Sequence, residues 1–90
     1  MPYISKNEIS EILFHHDPIG IGGIRRDEYD VEAIAIITKI RKVRSADEMH
    51  DMVHSVFRAY FGEQAGERDT YRDISNDICA LVNSRYEELG

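Results

Sequence analysis

The stretch SADEMHDMVHSVFRAYFG, residues 45–62, reads as a complete helix with both ends marked. Ser45 and Glu48 have capping-box spacing, in which a hydroxyl takes the amide three residues on and that residue's carboxylate reaches back. Met49, Met52, Val53, Val56, Phe57 and Tyr60 follow the i, i+3, i+4, i+7 pattern, with Phe61 alongside. Gly62 is placed to end the helix, because glycine turns left-handed without a Cβ clash. So wide an apolar stripe has to be covered, and the rest of the chain supplies the cover.

Working back toward the N-terminus, Asp30 is a good N-cap, with Glu32 in the positive first turn. Ala33, Ile36, Ile37 and Ile40 form a core stripe flanked by Ile34 and Val43. The β-branched residues here also fit a strand. The spacing, the cap and the cationic end (Lys39, Arg41, Lys42, Arg44) select a helix. Ser5 and Glu8 repeat the capping-box spacing and start another helix, with Ile9, Ile12, Leu13 and His16 on one face. Pro18 ends it, since the residue before a proline is pushed out of the α region. Residues 17–26 read as a Gly/Pro-rich loop pinned to the core by Ile19, Ile21 and Ile24. Beyond Gly62, the polar run to Arg68 reads as a loop. A last helix starts near Asp69 or Thr70, with Tyr71, Ile74, Ile78, Leu81, Val82 and Tyr86 on its apolar face. The expected fold is all-α, a compact four-helix bundle in one domain over residues 1–90.

Composition bounds the function. The chain is 42% hydrophobic and 31% charged, as in folded globular proteins. No apolar run nears the roughly 20 residues of a membrane span, and the N-terminus lacks a secretory layout, so no membrane association is expected. A lone cysteine, Cys79, fits a reducing cytoplasm and a small core residue. Net charge is −6, which repels phosphate backbones and disfavours direct nucleic-acid binding. The same field attracts basic protein surfaces. The charge is uneven: residues 31–44 hold four basic residues and one acidic, while the other segments are net acidic.

Among chemistry-bearing residues, His50 and His54 share a helix face beside Asp47 and Asp51. Imidazoles one turn apart can hold zinc if a third ligand arrives, but Asp51-Met52-Val53 is not the spacing sequence of a zinc-protease helix. Boundary histidines paired with the aspartates are the plainer reading. His16-Asp17 has the makings of half a dyad, with no nucleophile implied. Gly20-Ile21-Gly22-Gly23 departs from a dinucleotide fingerprint at Arg25. Asp27, Glu28 and Tyr29 offer carboxylates with an aromatic anchor for a basic partner. Glu67, Asp69, Asp73 and Asp77 form a second acidic strip, partly neutralised by Arg68 and Arg72.

His16-Asp17-Pro18-Ile19-Gly20, then Asp27-Glu28-Tyr29-Asp30, then Ala33 and the helix-2 isoleucines resemble a family of small bacterial helical proteins. In that family an aromatic or histidine precedes Asp-Pro-hydrophobic-Gly, and Glu-Tyr-Asp opens the next helix. The resemblance covers roughly residues 10–62. The chain departs from it in having His16 where tryptophan is frequent, and in the additional Gly22-Gly23-Ile24-Arg25-Arg26. Some similar proteins are immunity proteins of contact-dependent inhibition and polymorphic toxin systems. The resemblance implies a small helical fold, no catalytic residues, and a fold-forming role for Asp17, Pro18, Gly20, Tyr29 and Asp30.

The expectation is therefore a non-enzymatic immunity protein without cofactor or metal, docking on a cognate toxin, a nuclease, through its acidic surface. The binding residues would be Asp27, Glu28, Tyr29, Glu67, Asp69, Asp73 and Asp77. A stand-alone regulatory or structural binding module is the alternative, and a metal-dependent enzyme using His50 and His54 is the third reading. The expected state is a monomer or a weak homodimer through Met49 or Phe61.

Overall fold

A computed structural model describes residues 4–20 and 29–89. It is an all-α four-helix bundle, with no strand among the described residues. The helices are α1 (Lys6–His16), α2 (Asp30–Ile40), α3 (Ala46–Phe61) and α4 (Arg72–Leu89). Two short 3-10 turns join α3 to α4: Gly62–Ala65 falls where the sequence predicted a plain loop, and Arg68–Tyr71 where it predicted the start of the last helix. α1 and α3 each pack against both α2 and α4, so α2 and α4 occupy opposite corners.

Local capping sets three of the helix ends. Ser5 accepts the Glu8 amide at 3.2 Å, and the Glu8 carboxylate accepts the Ser5 amide at 3.2 Å, closing the capping box. Ser45 accepts the Glu48 amide at 3.1 Å. α1 stops at Asp17, which takes the left-handed conformation (φ 47°) and donates its amide to the Leu13 carbonyl at 2.8 Å. Aspartate is among the few non-glycine residues that adopt this conformation readily.

The predicted N-cap of α2 is corrected. Tyr29, not Asp30, stands at that position and makes no side-chain cap. The Asp30 carboxylate instead accepts from Ser10 Oγ at 2.7 Å and Lys6 Nζ at 2.9 Å, both on α1. Two tertiary partners outcompete the local amide.

The core is built from the predicted faces. Ile9 and Leu13 of α1, Ala33, Ile36 and Ile40 of α2, Met49, Val53, Val56 and Phe57 of α3, and Ile74 and Ile78 of α4 are buried. Phe57 is the centre of an aromatic cluster, with ring centroids 4.9 Å from Tyr71, 5.8 Å from Phe61 and 5.9 Å from Tyr29. Such pairs add about 0.5–1.5 kcal/mol each beyond their buried area. Ile19 packs against this core as expected. Ile21, Ile24 and the Tyr86 side chain lie outside the described residues.

Two readings of the apolar stripes change. Met49 is core, and Phe61 is half-buried against Phe57. Tyr60, read as a stripe residue, is 52% exposed. It sits in the last turn of α3, level with Val31 in the first turn of α2, where the pair of helices ends.

Tyr29 is fully buried, and its hydroxyl donates to Asp17 Oδ1 at 2.6 Å. Removing that hydroxyl by Tyr29→Phe leaves the ring and takes a donor from a carboxylate. The expected loss is about 1–3 kcal/mol of unfolding free energy in urea titrations, with the helical content of the native state unchanged.

Candidate functional site

The loop signature proves to be a clasp rather than an exposed site. Tyr29 Oη, while donating to Asp17, accepts the Ile19 amide at 3.3 Å. The Asp17 carbonyl accepts the Gly20 amide at 3.1 Å, and Gly20 holds a φ of 80° that a side chain would strain. Tyr29 is thus corrected as a partner anchor: a ring with no exposed surface cannot touch another protein. Asp27 and Glu28 lie outside the described residues. The pKa of Asp30 is lowered, first by the Ser10 hydrogen bond and then by the Lys6 ammonium, against a smaller opposing desolvation. The carboxylate that faces His16 belongs to Asp77 of α4, at 2.6 Å, and not to its neighbour Asp17.

His50 and His54 are also put to structural use. His50 Nε2 meets the Arg68 carbonyl at 2.5 Å, and His54 Nε2 meets the Gly66 carbonyl at 3.0 Å. A carbonyl only accepts, so in each ring Nε2 carries the proton and is not the ligating nitrogen. Asp47 and Asp51, read as partners of the histidines, bind the Arg68 guanidinium at 2.7 and 2.5 Å. Those carboxylates raise the Arg68 pKa further. The Tyr71 hydroxyl donates to the Ala65 carbonyl at 2.5 Å, and burial pushes its pKa up to about 12. These contacts stitch the α3–α4 connection onto α3. Among the described residues no group of three His, Cys, Asp or Glu side chains is placed to hold a metal ion.

The acidic strip is where a partner can reach. Asp73 and Asp77 lie one turn apart on α4, and Asp69 precedes them in the 3-10 turn Arg68–Tyr71 that leads into the helix. All three are exposed, as is Glu67 before them. Carboxylates at this spacing repel by about 0.2–0.5 kcal/mol per pair, which the helix dipole offsets near the N-terminus. The neutralisation read from the sequence is incomplete. Arg68 turns away to α3, while Arg72 reaches Asp69 at 3.2 Å and His16 meets Asp77.

Opposite in charge is the end of α2. Arg41 and Arg44 rim a groove of about 530 Å³ that is floored by Ile40, Met49, Cys79 and Val82. The sequence marked the cations and read Cys79 as core. It carried no sign that the α2–α3 turn and α4 leave a groove there, because those segments are far apart in the chain. Cys79 is half-buried, and burial raises its thiol pKa, which lowers its reactivity.

No protein-family model, curated protein or solved structure matches this chain.

Glu32 was read as a first-turn dipole partner, yet it is only 5% exposed. Desolvation raises its pKa above 4.5, the Asp30 charge adds to the rise, and its own backbone amide opposes it. The folded state therefore binds this proton more tightly than the unfolded chain. The group's contribution is most favourable below its unfolded pKa and is lost as pH climbs through the raised value. At neutral pH an ionised carboxylate stays buried at a cost. Glu32→Gln is expected to raise the Tm at neutral pH and to raise it less near about pH 4, measured by thermal melts at both values.

Proposed function

We propose that this chain is a non-enzymatic immunity protein that neutralises a bacterial toxin domain of basic surface, a nuclease, by docking its carboxylate strip over the cleft that receives nucleic acid. The exposed carboxylates of Asp73 and Asp77 on α4, with Glu67 and Asp69 in the turn ahead of them, carry the reading. An enzyme that grips phosphates presents cations, and a row of carboxylates on a rigid helix imitates the phosphates. Placement of Asp73 and Asp77 on a helix rather than on a loop fixes the spacing of their charges and spares the ordering cost on binding.

The resemblance of the Asp17-Pro18-Ile19-Gly20 and Glu28-Tyr29-Asp30 segments to small bacterial immunity proteins supports the same reading. So does the structural use of His50 and His54, which draws weight away from the metal-enzyme reading. Asp27 and Glu28 belong to the proposed surface as further carboxylates. A cytoplasmic site of action follows from the role. Among the described residues no helix is long and apolar enough to cross a membrane.

Co-expression with the product of the adjacent gene tests the role: growth should be rescued if that product is the cognate toxin. In stopped-flow mixing of the two proteins, association should slow steeply as salt rises. Asp69→Lys with Asp73→Lys should slow it by about tenfold or more at low salt, while the chain keeps its helical content by circular dichroism. Association equally fast from low to high salt sinks the electrostatic docking. Growth arrest in the presence of the chain sinks the immunity role and leaves the stand-alone binding module.

A further inference from the structure

Among the described residues, three large apolar side chains stay about half exposed: Val31 (54%), Ile34 (53%) and Tyr60 (52%). All three line one groove of about 420 Å³ between α2 and α3. Lys39 lines this groove and also the next stretch of the same valley, about 520 Å³, which is walled by Lys42 on one side and Glu48, Asp51 and Met52 on the other. The two helices run antiparallel, with Val31 beside Tyr60 at one end and Lys42 beside Glu48 at the other. The face is thus apolar at one end and charged at the other. At the charged end its α2 wall is basic and its α3 wall acidic.

We propose that a second copy of this chain occupies the groove, related by a two-fold axis parallel to α2 and α3. Rotation about that axis lays α2 of each copy over α3 of the other without reversing the order along the valley. Lys39 and Lys42 then meet the second copy's Glu48, and Val31 and Ile34 meet its Tyr60. A two-fold axis across the helices reverses the order, sets Lys42 on Val31 and buries a charge against an apolar side chain. That costs far more than the charge pairing gains. The face complements itself in one orientation, which is the requirement of an isologous dimer.

The size of the face sets the strength. α2 is 11 residues, or about 16 Å long, and two helices side by side are about 20 Å wide. In plan each face is about 320 Å², small for a specific interface, so the dimer is a weak one. The groove lies between α2 and α3, whereas Asp73 and Asp77 lie on α4 at the corner opposite α2. The dimer therefore stands independently of the docking role proposed for α4.

Sedimentation equilibrium on the purified full chain, from about 10 μM to about 1 mM, reads the association directly. The average mass should climb from 10.4 kDa toward twice that value. Ile34→Asp should stay monomeric throughout, and Lys42→Glu and Glu48→Lys alone should each weaken association by about tenfold. Two restorations should follow: the double variant Lys42→Glu/Glu48→Lys should self-associate again, and an equimolar mixture of the two single variants should form a mixed dimer. The mixture keeps the test sharp, because a loss caused by damage to a helix end is not repaired by a second chain. A wild-type mass of one chain at every concentration overturns the proposal. So does a dimer indifferent to Ile34→Asp, or a mixture that fails to associate.

Discussion

The bond from the Tyr29 hydroxyl to Asp17 is the constraint on which the rest of the bundle depends. Asp17 closes α1 in a left-handed conformation, and Tyr29 opens α2. The Tyr29 ring reaches Phe57 of α3, so one side chain joins the termini of two helices to the centre of a third. A buried phenol brings a large apolar area and one polar atom that has to be satisfied. The acidic partner satisfies it and at the same time fixes where α1 ends. Lys6, Ser10 and Asp30 form a second tie between the same two helices.

The connection between α3 and α4 follows the same logic with different groups. Short 3-10 turns leave carbonyls pointing away from any helix, and each has to find a donor. His50, His54 and Tyr71 provide donors to Arg68, Gly66 and Ala65. The Arg68 side chain answers in the other direction, to Asp47 and Asp51. Residues that resemble a metal or catalytic set in one dimension are thereby absorbed into the frame. Much of the acidity left for a partner stands along α4, where the backbone is rigid and the side chains are exposed.

What could be read from the sequence was what local chemistry decides. The Ser5 and Ser45 caps, the end of α1 before Pro18 and the stripes of α2, α3 and α4 depend on neighbours within four residues. The failures came where distant groups compete for the same atoms. Asp30 has the composition of a cap, but Lys6 and Ser10, 24 and 20 residues away, claim its oxygens. Arg68 looked like a neutraliser of the α4 strip because they adjoin in sequence, yet its partners lie on α3. Tyr60 fits the stripe of α3 and is exposed because α2 begins beside it, a matter of helix lengths rather than of pattern. The candidate site was legible as a set of carboxylates. Which of them are consumed by internal bonds was not.

One ion pair has a bearing on how the chain is made. Glu8, already engaged with Ser5 at the start of α1, also binds the Arg85 guanidinium in α4, a partner 77 residues further along the chain. On a ribosome α1 emerges before α4, so Glu8 leaves the tunnel 77 residues ahead of its arginine. Closing so large a loop adds entropic cost only slowly with length, but the contact cannot form until Arg85 has emerged. The electrostatics of α1 are therefore completed only after α4 has followed it. Until then its apolar face has only α2 to shelter it, and a nascent-chain chaperone would find its binding window there.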